Sequence, residues 1–271
     1  MVHMPSHIYI RTGQYEKAAQ VNEDALSEYN KYLALYPEVI INGPLYDFHS
    51  RHMKAVGSMN GSNYSKAIKD AMDCRKGIDS SLLSQPAPIG SYVQFVYMTP
   101  LFTLITFEKW KDILEDPETS NTYSSLLQHF ARGIAYANTG QIELAKSSLH
   151  HLQTLITEQE LAIPFGPFSS ARDAALVAEE ILLGSITEKQ GHLREATEHY
   201  QKTVKAEDAL IYNEPKDWLL PARRFLGAAY LKMNNHAKAE FTFSEDLKIN
   251  PKNPKSLKGL EIARKRQGKK S

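Results

Sequence analysis

The sequence predicts an all-α fold: a right-handed superhelical solenoid of helix-turn-helix repeats that fills residues 1–271 as a single domain. Three observations carry this reading. A short grammar, Gly-x-aromatic-or-aliphatic-x-x-Ala, recurs along the chain. Each copy joins two stretches whose apolar residues return at helical spacing. Strand signals are scarce, and Pro/Gly/Ser-rich segments stand between the copies.

The elements follow in order. A first repeat lies near 5–32: Pro5 suits a first helical turn, and "GQYEKA" (Gly13, Tyr15, Ala18) makes the turn into the second helix. A second, near 47–76, carries "GSNYSKA", with Gly61, Tyr64, Ala67 and one extra residue. A degenerate copy near 92–115 reads "FEKWKDIL", with Trp110 and Ile113 in the aromatic and Ala places. Repeats near 126–153 and 178–207 carry "GQIELA" (Gly140, Ile142, Ala145) and "GHLREA" (Gly191, Leu193, Ala196). The repeat near 220–251 reads "NNHAKA" (Asn234, His236, Ala239), with Asn in place of Gly because Asn tolerates positive φ. In that copy Leu226, Ala229, Tyr230 and Met233 share one helix face, Ala239 permits close approach, Phe243 and Leu247 extend the apolar face, and Pro251 ends it. A terminal helix is expected near 254–268, with Gly268 opening a last copy. "LLSQPAPIGSYV" and "AIPFGPFSS" read as inter-repeat loops. Together these are the tetratricopeptide helix-turn-helix signature. The Asn234–Gly268 interval matches the usual period of about 34 residues; the other intervals are longer, so loops or helices are extended.

Composition narrows function. The chain is 42% apolar and 23% charged, enough to build a core. Its net charge of +1 gives no electrostatic argument for nucleic acid or a membrane surface. The basic tail (Arg264, Lys265, Arg266, Lys269, Lys270) reads as a frayed, solvated end. Cys74, the one cysteine, excludes an internal disulfide and reads as a small core residue. No stretch has the length of a membrane span. No signal-peptide pattern stands at the start, so no compartment follows, with cytoplasmic as the default. Nucleophile-elbow, P-loop, Rossmann and HExxH motifs are all absent, and nothing requires catalysis.

In tetratricopeptide domains the first helices line a concave groove. Aligned on the small residue of each second helix, His7, His49 and His52 fall on groove-facing positions of adjacent first helices. His3, just before Pro5, could fold in beside them, with Asp47 and Tyr9 near. Three chemistries remain open. Neutral imidazoles could hold zinc or copper through His7, His49 and His52, with His3 or Asp47 as the fourth ligand. Partly protonated, they could bind a carboxylate or phosphate. They could also be plain hydrogen-bonding groups of a polar groove. His129, His150, His151, His192, His199 and His236 read as surface or half-buried residues. Phe95, Met98 and Phe102 align with the groove as an apolar floor. In "IYNEPKDWLLPARRFLGAAY", Asp217 could cap the following helix and Trp218 could anchor packing. Arg224 takes a groove position where it could clamp an acidic group or pair with Glu214.

"HMPSHIYIRTGQYEKA", "FHSRH", "LFTLITFEKWKDIL", "EPKDWLLPARRFLGAAYL" and "DLKINPKNPKSLKGL" together resemble a family of bacterial tetratricopeptide-repeat proteins of unassigned activity, distantly similar to the tetratricopeptide repeat protein 38 group. The resemblance covers nearly the whole chain. It implies architecture and hardly any activity. It also implies that this chain is a C-terminal portion or truncated form, because relatives carry further repeats upstream. Two departures stand out: relatives show Arg-His where this chain has Arg223-Arg224, and His-Asn-x-His where it has His49-Ser50-Arg51-His52.

The expected function is an interaction module binding a peptide or protein segment in the groove, without a cofactor, through His7, His49, His52, Phe95, Met98, Phe102, Asp217, Trp218 and Arg224. The alternative is a metal-binding or metalloenzyme domain built on the histidines. A third expectation is self-association through the N-terminal edge.

Overall fold

A computed structural model describes residues 2–38 and 43–269. Lys270 of the basic tail lies outside them. Fourteen α-helices account for nearly all regular structure among the described residues: α1 Pro5–Arg11, α2 Tyr15–Leu35, α3 Gly43–Asn60, α4 Tyr64–Lys76, α5 Ile89–Tyr97, α6 Thr99–Thr106, α7 Trp110–Leu114, α8 Thr122–Asn138, α9 Ile142–Ile156, α10 Ala171–Lys189, α11 Leu193–Ala209, α12 Ala222–Lys232, α13 His236–Ile249 and α14 Pro254–Arg266. Strand-like pairing is limited to one isolated bridge, Pro164 to Ser170. Neighbours in sequence pack in pairs, α1 with α2, α3 with α4, α8 with α9, α10 with α11 and α12 with α13.

The recurring grammar has a conformational cause. Its first residue is left-handed at Gly13 (φ 70°), Gly140 (82°), Gly191 (88°) and Asn234 (57°). The following N–H then donates back across the turn, as from Gln14 to Tyr9 O (2.8 Å), Gln141 to Tyr136 O (2.9 Å) and Asn235 to Tyr230 O (2.9 Å). That closure satisfies a carbonyl left open at the end of each first helix. The degenerate copy does the same with Glu108 (φ 58°), whose neighbour Lys109 donates to Leu104 O at 2.9 Å. The small residue of each second helix, Ala18, Ala67, Ala145, Ala196 or Ala239, is fully buried. Only a methyl group stands between the paired axes there, so they approach closely.

Two expectations change. "LLSQPAPIGSYV" is not all loop, because α5 begins at Ile89. Pro86 and Pro88 precede its first turn, where a missing N–H costs nothing. The basic tail is not simply frayed: α14 runs through Arg266, Arg264 Nε reaches Glu240 Oε1 at 3.1 Å, and Lys269 Nζ reaches Glu240 Oε2 at 2.5 Å.

The chain also folds back on itself. Tyr15 hydroxyl donates to Pro251 O at 2.9 Å, and Asn253 Nδ2 donates to Asn60 Oδ1 at 3.3 Å. The turn between α1 and α2 therefore meets the turn between α13 and α14. Beside this junction the segment 210–221 runs from the surface, at Ile211 and Tyr212, into the interior at Trp218–Leu220. Its Trp218 is 1% exposed, with its ring 5.3 Å from Phe102 and 5.2 Å from Phe130, edge to face in both cases. No described helix is long and apolar enough to cross a membrane.

Candidate metal centre

The centre starts from the entry into α1. Ser6 is fully buried, and both its N–H (2.9 Å) and its hydroxyl (2.6 Å) donate to His3 O. This pins the turn ahead of Pro5, so His3 sits beside His7, one helical turn on. His49 comes from α3, which packs against α2. That packing is tight at Gly57: a Cβ there would stand 3.0 Å from both Ala19 N and Tyr15 O.

His3, His7 and His49 therefore converge. One ligand atom from each lies within 4.8 Å of the other two. His7 and His49 are stacked with ring centroids 5.6 Å apart, and His3 stands edge-on to both, at 5.7 and 5.5 Å. His3 also meets Tyr46 edge-on at 5.2 Å. His3 Nδ1 is buried and makes no hydrogen bond to any described residue.

The segment 210–221 supplies a carboxylate to this cluster. Glu214 Oε2 lies 2.6 Å from His7 Nδ1. Its other oxygen accepts from the Tyr212 hydroxyl and lies 3.9 Å from Arg11 Nε. The Glu214 N–H donates to Asn213 Oδ1 (2.8 Å), and Asn213 Nδ2 donates to Asp217 Oδ1 (2.7 Å). Glu214 thus fixes the tautomer of His7 and leaves Nε2 for a ligand.

Burial, with repulsion from His3 and His7, pushes the His49 imidazole down to about 4, against the opposing pull of Glu214. Burial, then the neighbouring His7, lowers His3 too. Both rings are therefore neutral at pH 7. A neutral imidazole offers a lone pair to a metal and no positive charge to an anion. Of the three chemistries open from sequence, this disfavours the anion site.

The other site residues fall elsewhere. His52 does not join the cluster: it is fully buried, edge-on to Phe95 at 5.6 Å, and burial drives its pKa down to about 3. Asp47 is no ligand, because Arg51 Nε takes its Oδ2 at 2.5 Å. Phe95, Met98 and Phe102 are buried core side chains rather than an open floor, since α8 and Trp218 cover them. Asp217 does not cap α12; the Ala222 N–H donates instead to Glu207 Oε2 at 2.7 Å. Trp218 is a packing anchor, and Arg224 does not meet Glu214, which is taken by His7 and Tyr212. Cys74 is fully buried and its thiol is pushed up to about 12.

Sequence reading missed Arg11, Tyr46 and Tyr212. Two had a local signal: Arg11 follows His7 by one helical turn, and Tyr46 precedes His49 by three residues, so each shares a face with its histidine. Tyr212 had none, since only the fold brings 210–221 to α1. The chain matches no protein-family model and no curated protein.

Proposed function

We propose that this chain is a metal-binding helical-repeat protein whose centre is His3, His7 and His49. The observation that supports it is the convergence of three imidazole donors within 4.8 Å, one of them braced by a carboxylate on its other nitrogen. Tetrahedral zinc wants nitrogens about 2.0–2.1 Å from the ion, hence about 3.3 Å from one another. Three histidines with a fourth position open suit zinc or copper, and such a centre can polarise a bound water. Glu214 orients His7 and raises its basicity. A pocket of about 40 Å³ lies beside Glu214, Arg11 and Asn213, which is room for a few water molecules.

The finer architecture belongs to the same proposal. We read the helix pairs as tetratricopeptide-like repeats of a superhelical solenoid, and the likeness to the bacterial tetratricopeptide-repeat family goes with it. Support comes from the left-handed turn residues and the buried alanines. The interaction-module reading has a narrower basis, because most of its apolar anchors are core residues.

The test is elemental analysis of the purified chain after incubation with zinc or copper and removal of excess ion. One equivalent is expected, and it should be lost in a His7→Ala/His49→Ala variant that still folds by circular dichroism. Glu214→Gln should keep the site and weaken zinc roughly 10- to 100-fold. Wild-type protein that retains no metal, or a double variant that retains it fully, overturns the proposal.

A further inference from the structure

A large cleft lies away from the histidines, between the α6–α7 turn, α8, α10, α12 and α14. It holds about 690 Å³, within the range of small-molecule sites. Part of its wall is apolar, with Trp110 and Phe225 half-buried and Tyr200 and Phe243 buried behind them. Its charge is unbalanced: five cations, Lys189, Arg224, Lys232, Lys255 and Lys258, line it against two carboxylates, Glu108 and Glu188.

Pairing does not remove the imbalance. Lys232 Nζ takes Glu188 Oε1 at 2.5 Å. Arg224, Lys255 and Lys258 make no ion pair and no side-chain hydrogen bond to any described residue. Lys255 instead lies over the Phe107 ring at 5.6 Å. Buried or half-buried cations are ordinarily paired. Here two of them, Arg224 and Lys255, are half-buried and repel each other. Three carboxylates act on Arg224, namely Asp246, Glu108 and Glu207, but Asp246 already accepts from Asn250 and Ser256, and Glu207 from the Ala222 N–H, so Glu108 is the one of them on the cleft wall beside the three cations. An anion in the cleft would meet Arg224, Lys255 and Lys258 without displacing an ion pair. Arg224 offers a planar fork of donors suited to phosphate oxygens, and the lysines add point charges.

We propose that this cleft binds a phosphate monoester of a small molecule, with the phosphate between Arg224, Lys255 and Lys258 and the apolar body against Trp110 and Phe225. Two further facts agree. Burial, with repulsion from Arg224 and Lys258, pushes the Lys255 ammonium down to about 8, so it is still charged at pH 7. A phosphate monoester is mostly dianionic there.

The experiment titrates phenyl phosphate into the full chain by calorimetry at pH 7, with a chelator present so that the histidine centre takes no part. One-to-one binding in the sub-millimolar range is expected, with benzoate at least about tenfold weaker. Lys255→Gln should weaken phenyl phosphate about tenfold or more, and Arg224→Gln at least as much. Lys258→Gln, at an exposed position with no folding role, should weaken it less but measurably. No binding up to about 10 mM, benzoate binding as tightly as phenyl phosphate, or unchanged affinity in folded Lys255→Gln and Lys258→Gln each overturns the proposal.

Discussion

His52 has a fully buried ring with no hydrogen-bond partner for either nitrogen among the described residues. An unpaired buried polar group is expensive, on the order of 1–3 kcal/mol, so replacing it with an apolar side chain of similar size can be neutral or stabilising. The ring is held neutral, with its pKa near 3 against an unfolded value of 6.5. Between those values the unfolded chain binds the extra proton. His52 therefore lets stability stand in full above pH 6.5 and lowers it as pH falls toward 3. At pH 5 the loss is of the order of 2 kcal/mol. His52→Leu should match or exceed wild-type stability at pH 7 and lose less of it at pH 5, measured by urea unfolding at both values. Identical pH dependence in the two proteins would refute the idea. The contrast with His49 is instructive: spacing put both on α3, but a difference of three residues placed one beside His3 and His7 and the other against Phe95.

At the scale of helices, the centre depends on how closely α3 approaches α2. Gly57 provides that approach, and its neighbours there are backbone atoms of Tyr15 and Ala19 that have little freedom to move. Alanine in a helix is ordinarily better than glycine by about 0.5–1 kcal/mol. Here the contact should reverse that sign, because overpacking against backbone costs about 1–3 kcal/mol. Gly57→Ala is expected to lower the thermal midpoint and, by pushing α3 outward, to weaken zinc binding as His49 leaves the cluster. A variant that is more stable and binds zinc as wild type does would show that the approach is not tight. The turns were legible in advance because left-handed φ selects Gly and Asn. Glu108 was the case that composition hides: the same turn is made by a residue with no preference for it.

Across the whole molecule, the first turn of the chain is locked to the last. A Cβ on Gly13 would stand 2.1 Å from Pro251 O, whereas one on Gly140, in the equivalent turn, would meet nothing within 4 Å. Both are left-handed, so alanine at either should cost about 1–2 kcal/mol. Gly13→Ala adds the clash, for a total of roughly 2–4 kcal/mol. Urea unfolding of the two variants separates the terms, and hydrogen exchange in Gly13→Ala should quicken together at the α1–α2 turn and at residues 249–253. Equal losses in both variants would mean the junction contributes nothing. By itself the sequence determined the helices, their pairing and most of the turns, because period, small residues and left-handed positions are local properties of the chain. It also placed His7, His49 and His52 on neighbouring first helices, with His3 at the entrance to the first, and the structure kept His3, His7 and His49 of these together. Only the tertiary structure decided that Glu214, 207 residues from His7, braces the cluster, that Trp218 fills the interior, and that Arg224 faces a cleft without an ion pair to any described residue. Those contacts join residues far apart in sequence through closure of the chain on itself, and closure depends on packing across many helices rather than on any local pattern.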